Sequence, residues 1–390
     1  MRYLAVPAAF LLVSLLLVHQ GATNPGFPGN APPVAGPTAP LPRIVGVGGV
    51  VGWAENLTYS SPYNASSFCF AHLSDFQLQD PWSQDLEPVK AALRNIDGIT
   101  PAFAVVTGDL SEYGWPSEWE LYKSLERILT VPVYPVPGNH ETYGDPFLVS
   151  YRALIGPPNY TFDFLGHLFV GLDSSTPRLT QGSLDGPQLE WLERVLKDAR
   201  DRRARTVTLF SHHGPVQHPQ AVDFPLFGGL IKLPGIPLLR DRDAVLELIE
   251  RYGVDHYLIG HEHLNWEERR GGTLYLITGD IAGKPYDDQP VEPKPVHSYR
   301  LVCLEGNRVT FHEWVPRDGG LTVNRSEDRK EVRIRNTFSG DYPLAVVRLP
   351  VCRNEPVEGG FVQAIDRGSC TTYVGTRLPA GREHVVRVVP

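Results

Sequence analysis

Val105-Val106-Thr107-Gly108-Asp109 joins a run of β-branched residues to a glycine and a carboxylate. The two valines and the threonine, behind Phe103, predict a short buried strand, and Gly108 lets the chain turn sharply at its end. Asp109 then stands at the strand's carboxyl end, the edge of an open α/β sheet where ligands and metals bind. Further predicted strands end in polar groups of the same kind. Residues 68–73 run into Ser74-Asp75, 131–136 into Gly138-Asn139-His140-Glu141, 206–210 into His212-His213, and 256–259 into Gly260-His261-Glu262-His263. Helical spacing lies between them at 84–96, after Pro116-Ser117-Glu118, at 187–200 and at 245–252. Such alternation puts the strand ends on one edge of a sheet or sheet pair, so residues distant in sequence converge. One histidine after a strand is usually a surface or core residue, but a whole series of such ends points to a site.

Strands at 168–172, 274–278, 299–304 and 308–314 complete this domain, placed at 44–315 and followed by short predicted strands between turns over 316–390, a small β-sandwich-like module. Before it, Met1-Arg2-Tyr3, the apolar run from Leu4 to Val18 and the small Gly21-Ala22 read as a secretory signal over 1–23. The expected location is therefore secreted or extracytoplasmic, on the periplasmic or cell-surface side. Membrane contact is expected only through an uncleaved anchor, since the run falls short of the ~20 residues that span a bilayer. Residues 24–43, rich in Pro, Gly and Ala, read as a linker. Gly46-Val47-Gly48-Gly49 lacks the Lys-Ser/Thr of a phosphate loop.

The 390 residues carry a net charge of −8, with 42% hydrophobic and 21% charged residues. This is a folded chain with no basic excess, which excludes a nucleic-acid backbone as the main partner. Four cysteines in a secreted chain allow three pairings. Cys352 and Cys370 suit a local bridge, leaving Cys69 and Cys303 either to staple the first and last strands of the main domain or to remain buried thiols.

In their order the motifs resemble the calcineurin-like metallophosphoesterase family, whose pattern is D-x-H, G-D-x-x-D/N, G-N-H-D/E, H and G-H-x-H. The resemblance spans roughly Cys69 to Trp314. It implies a four-layer α/β/β/α sandwich holding two divalent metal ions (Mn, Mg, Fe or Zn) at the sheets' edge, and a small-molecule phosphate ester as substrate. Matched position by position, Asp109 resembles the bridging ligand, Asp75 and His263 the ligands of a first metal, and Asn139, His212 and His261 those of a second. His140 resembles the histidine that protonates the leaving oxygen or binds a phosphate oxygen, with Glu141 orienting it. Asn139, His140 and His213 are expected to face the substrate; His212 is preferred over His213 as ligand because S-H-H-G resembles the family's H-x-G/P.

The chain departs from this pattern at Asp75-Phe76-Gln77, where Gln77 replaces the histidine. A glutamine carbonyl oxygen is a harder ligand than imidazole and favours Mg or Mn over Zn. Glu112, three residues after Asp109, either compensates as a ligand of the first metal or is a solvated loop carboxylate. His72 reads as a packed core histidine and Asp173-Ser174-Ser175 as a structural turn. Residues 216–239, rich in Pro, Gly and Phe, read as a loop over the substrate or against the β module. Asn56, Asn64, Asn159 and Asn324 begin N-x-S/T triplets that matter only in a glycosylating host. The expected activity is metal-dependent hydrolysis of phosphate mono- or diesters. The alternative is a non-catalytic binding protein on the same scaffold, holding one metal or none.

Overall fold

The computed structural model describes residues 45–46, 63, 67–79, 84–219, 225–226, 231–232, 239–284, 294–352 and 355–389. The expected signal segment, the linker, Asn56, Asn64 and most of 216–239 lie outside these residues. Among the described residues no helix is long and apolar enough to cross a membrane.

Two mixed sheets face each other. One runs in the order Arg308–Phe311, Ser298–Glu305, Ser67–Leu73, Ala104–Thr107, Val133–Val136, with Trp314–Pro316 also paired to Ser298–Glu305. Its three strands from Ser67–Leu73 to Val133–Val136 are parallel. The other runs Val45–Gly46, Tyr160–Phe164, His167–Gly171, Val207–Ser211, His256–Ile259, Thr273–Ile277, Trp266–Arg270, and its middle four strands are parallel.

The layering follows from the two-residue period of a strand. Leu168, Val170, Leu209, Tyr257, Ile259, Tyr275 and Ile277 join one core with Trp191, Leu192 and Leu196 of helix Gly186–Asp201 and Val245, Leu248 and Ile249 of helix Arg242–Tyr252. Their neighbours Phe169, Phe210, Leu258, Leu274 and Leu276 join the core between the sheets. There Phe70 and Phe103 meet Phe169 edge to face, with ring centroids 5.6 and 5.0 Å apart. Helices Glu87–Gly98 and Pro116–Glu126 bury Val89, Ala92, Leu93, Ile96, Trp119, Tyr122 and Leu125 in an apolar cluster continuous with that core. The result is the four-layer α/β/β/α sandwich.

Two devices tie the sheets and their edges. Cys69 and Cys303 lie opposite each other on antiparallel neighbours and form a disulfide; Cys352 and Cys370 form the other. The buried Arg300 donates to the carbonyl oxygens of Ile277 (3.0 Å) and His312 (2.6 Å), so one guanidinium bridges the two sheets. Its contact with His312 sits where the expected 308–314 strand divides into Arg308–Phe311 and Trp314–Pro316.

After Pro316 come two small antiparallel sheets, one of Leu321–Arg325, Glu331–Asn336, Glu383–Val388 and Val357–Glu358, the other of Tyr342–Leu349, Thr371–Leu378 and Phe361–Asp366. They dock on helix Glu87–Gly98. Asn95 donates to the Leu321 carbonyl (2.8 Å) and accepts from the Val323 amide (3.0 Å), and the Val346 amide donates to the Ile99 carbonyl (3.0 Å).

Candidate metal centre

The expected strand ends do converge, and their backbone is under strain. Asp75, Gln77, Asp109, His261 and His263 all have φ between 41° and 70°. Non-glycine residues pay for this left-handed conformation, and clusters of it mark functional sites. The turns are locked together by Glu141, whose buried carboxylate accepts from the amides of Asp109 (3.0 Å), Ser111 (2.9 Å) and Gly138 (2.6 Å). Gly138 is required where it stands, since a Cβ there would lie 2.1 Å from Asp109 Oδ1. Glu141 therefore fixes the Asp109 and Asn139 turns, rather than orienting the His140 ring as expected. Burial pushes its carboxyl up to about 7, helped by the Asp109 charge.

One group of donor atoms is made by Asp109, Asn139, His212 and His261. His212 Nδ1–H donates to the Thr107 carbonyl (2.8 Å), which turns Nε2 toward Asp109 Oδ2 (3.2 Å), Asn139 Oδ1 (3.1 Å) and His261 Nδ1 (3.0 Å). Asn139 is held in that orientation because its Nδ2 donates to Tyr143 Oη (2.9 Å). Four acceptor-type atoms thus crowd a buried point, an arrangement a cation relieves. The second group is built on Asp75. Its Oδ1 is buried without a hydrogen-bond donor and lies 3.2 Å from His263 Nε2, while His263 Nδ1–H is committed to the Lys284 carbonyl (2.7 Å). Burial opposes protonation of His263, but the Asp75 carboxylate overcomes it and holds the ring at about 9. In the same way burial opposes protonation of His212, and Asp109 raises it. The donor chemistry therefore fits divalent cation binding, with Asp109 between the groups.

Gln77 reaches this centre: its amide nitrogen lies 3.4 Å from Asp109 Oδ2 and 3.0 Å from His140 Nε2. A half-turn of the amide would put its carbonyl oxygen in the same place. Glu112 takes a different position from the ligand role considered above. Its carboxylate lies 3.3 Å from His140 Nδ1, which also donates to the Glu112 carbonyl (3.1 Å), whereas His140 Nε2 is the ring atom facing Asp109 (3.8 Å). Opposite edges of one imidazole separate Glu112 from the donor groups. Burial opposes protonation of His140, but Asp109 and Glu112 together raise it to about 10.

His213, expected to face the substrate, directs both ring nitrogens at protein groups. His212, His213 and His261 lie close enough to hold an ion, yet His213 Nε2–H donates to the Thr180 carbonyl (2.7 Å) and Nδ1 accepts from Ser174 Oγ (3.0 Å). Both nitrogens are used, whereas Asp75, Asp109 and His212 also lie close enough to share a cationic centre. Burial holds the His213 ring down at about 3. Ser174 thus serves as a prop, and Asp173 closes its turn on the Ser175 amide (3.0 Å). His72 is a core residue, hydrogen-bonded to Thr107 (2.9 Å) and Thr278 (2.7 Å). Sequence reasoning missed Asp280, buried after strand Thr273–Ile277 and joined to His297 (2.6 Å). Its place at a strand end, shared with the other site residues, was the available signal.

The model of the family described as calcineurin-like phosphoesterase matches residues 69–265. A probable cyclic nucleotide phosphodiesterase of a Synechococcus strain is 30% identical over 58% of this chain and 82% of its own length. A probable glycerophosphodiester phosphodiesterase of Arcobacter nitrofigilis is 31% identical over 63% of this chain and 82% of its own. A purple acid phosphatase from yellow lupin seeds superposes with a TM-score of 0.47 at 14% identity, over 71% of this chain and 52% of its own. Fold and site together define a phosphoric ester hydrolase. The chain belongs to the calcineurin-like phosphoesterase family.

Proposed function

We propose that this protein is a metal-dependent phosphodiesterase acting outside the cytoplasm. The observation that carries the reading is the pair of side-chain groups flanking Asp109, in which His212 Nε2 faces Asp109 Oδ2 and Asn139 Oδ1 while His263 Nε2 faces the buried Asp75 Oδ1. Asp75, His263 and Gln77 would hold one divalent cation, Asn139, His212 and His261 the other, and Asp109 would bridge them. Such a pair, when bound, supplies charge neutralisation at the phosphoryl oxygens and a more acidic water.

The chain's own residues provide the rest. His140, held protonated by Asp109 and Glu112, delivers a proton from Nε2 to the departing ester oxygen. Glu112 keeps the ring oriented through Nδ1. Among the described residues none of the converging side chains is Lys or Arg, and Glu112 adds a negative charge, which suits a monoanionic diester better than a dianionic monoester. The names of the two similar phosphodiesterases support the same preference. Two disulfides and the amino-terminal signal pattern support an oxidising, extracytoplasmic setting. Paired assays on bis(p-nitrophenyl) phosphate and p-nitrophenyl phosphate under Mn, Mg and Zn test the reading. A higher kcat/KM for the diester is expected, and a higher value for the monoester contradicts it.

A further inference from the structure

Next to Glu112 the chain displays two aromatic rings that fill no core. Tyr113 and Trp115 are 39% and 55% exposed and stack on each other, with centroids 4.9 Å apart and planes 29° from parallel. Trp119, four residues further on, is buried and does the packing for this turn, its Nε1–H donating to the Gly114 carbonyl (3.1 Å).

The display is held in place at a cost. Glu118, 1% exposed, accepts from the amides of Tyr113 (2.9 Å) and Trp115 (3.0 Å), so a carboxylate is buried to fix the turn that exposes the rings. Across from it, the Gly144 amide donates to the Tyr113 carbonyl (2.8 Å), and a Cβ on Gly144 would meet that oxygen at 2.4 Å and Trp115 Nε1 at 2.9 Å. The shelf is therefore seated on helix Glu141–Gly144, which follows His140 directly. Tyr143, whose ring centroid is 4.8 Å from that of His140, lies on the same short helix.

We propose that the Tyr113 and Trp115 rings, beside His140, form a subsite for a planar apolar ester group on the leaving side of the phosphate. The inference rests on the phosphodiesterase reading. The His140 ring faces Asp109 through Nε2 and Glu112 through Nδ1, and Tyr113 follows Glu112 directly, so an ester group on the His140 side of the phosphate would extend toward the shelf. Stacking on an exposed aromatic pair selects flat, weakly hydrated groups over polyols.

The test compares the wild-type protein with a Tyr113→Ala/Trp115→Ala double variant on bis(p-nitrophenyl) phosphate and glycero-3-phosphocholine. The ratio of kcat/KM for the aryl diester to that for the glycerol diester should fall about tenfold, mainly through KM, and a Tyr113→Phe/Trp115→Phe variant should restore it. An unchanged ratio overturns the subsite. In parallel, 1-naphthol binding is followed by its fluorescence on the same proteins, with about tenfold weaker binding expected in the alanine variant. Equal binding also overturns the subsite. A wild-type protein that hydrolyses neither diester defeats the phosphodiesterase reading, while the naphthol comparison still decides the shelf.

Discussion

The Glu112 carboxylate stands 3.3 Å from Nδ1 of His140, on the ring edge away from Asp109. That position suits the role proposed for it, holding the His140 ring through Nδ1, rather than cation binding. Glu112→Gln should lower kcat for diester hydrolysis by about ten- to hundredfold, within the range of general acid catalysis, while the bound cation per chain stays at the wild-type value. Loss of a cation in this variant would return Glu112 to the ligand set.

His213 props a loop. His213→Gln removes hydrogen bonds from the buried Ser174 hydroxyl and to the Thr180 carbonyl, and should cost about 1–3 kcal/mol in denaturant unfolding. Its cation content should match the wild type. A variant of normal stability that loses one cation would make His213 a ligand.

Stability should fall in mild acid. Burial holds His167 down at about 4 and His256 at about 3, against about 6.5 in the unfolded chain. Below pH 6.5 the unfolded chain takes up protons that the folded rings refuse, so stability is full above that pH and declines toward pH 4. Each ring contributes up to ~1.4 kcal/mol per pH unit across this window. Thermal melts of the metal-free protein from pH 7.5 to 4.5 should show the decline, and His167→Gln/His256→Gln should flatten it. An equally steep slope in that variant refutes the assignment.

The bridge between Cys69 and Cys303 closes most of the main domain, at a sequence separation of 234. Cys69→Ala/Cys303→Ala should lower unfolding free energy by about 2–5 kcal/mol without altering diester kcat, as read by denaturant titration and assay. Unchanged stability would show that the bridge constrains little.

Much of this was legible because strand ends are marked twice, by β-branched runs and by the polar residues that follow. The turns at Asp109, Asn139 and His212 carried both marks, whereas Asp75 follows a run of Phe, Ala and Leu with no β-branched residue and His261 a strand with Ile259 alone. Strand Tyr160–Phe164 was missed because its hairpin turns on Leu165-Gly166, both at positive φ, and leucine is not a turn signal. The roles of Glu112, Glu141 and His213 were not legible either. Sequence order brings each beside the centre, but which atom a side chain meets depends on turn geometry, and the left-handed φ values at five site residues are invisible in the sequence.

The most direct measurement counts bound cation and diester turnover together in metal-stripped protein reloaded with Mn, for wild type and Asp109→Asn. The wild type should bind two ions per chain and recover hydrolysis of bis(p-nitrophenyl) phosphate, and Asp109→Asn should lose both the pair and at least a hundredfold in kcat, roughly what removal of one electrostatic stabiliser costs. Two ions with no turnover in the wild type, or undiminished turnover in Asp109→Asn, would contradict the account.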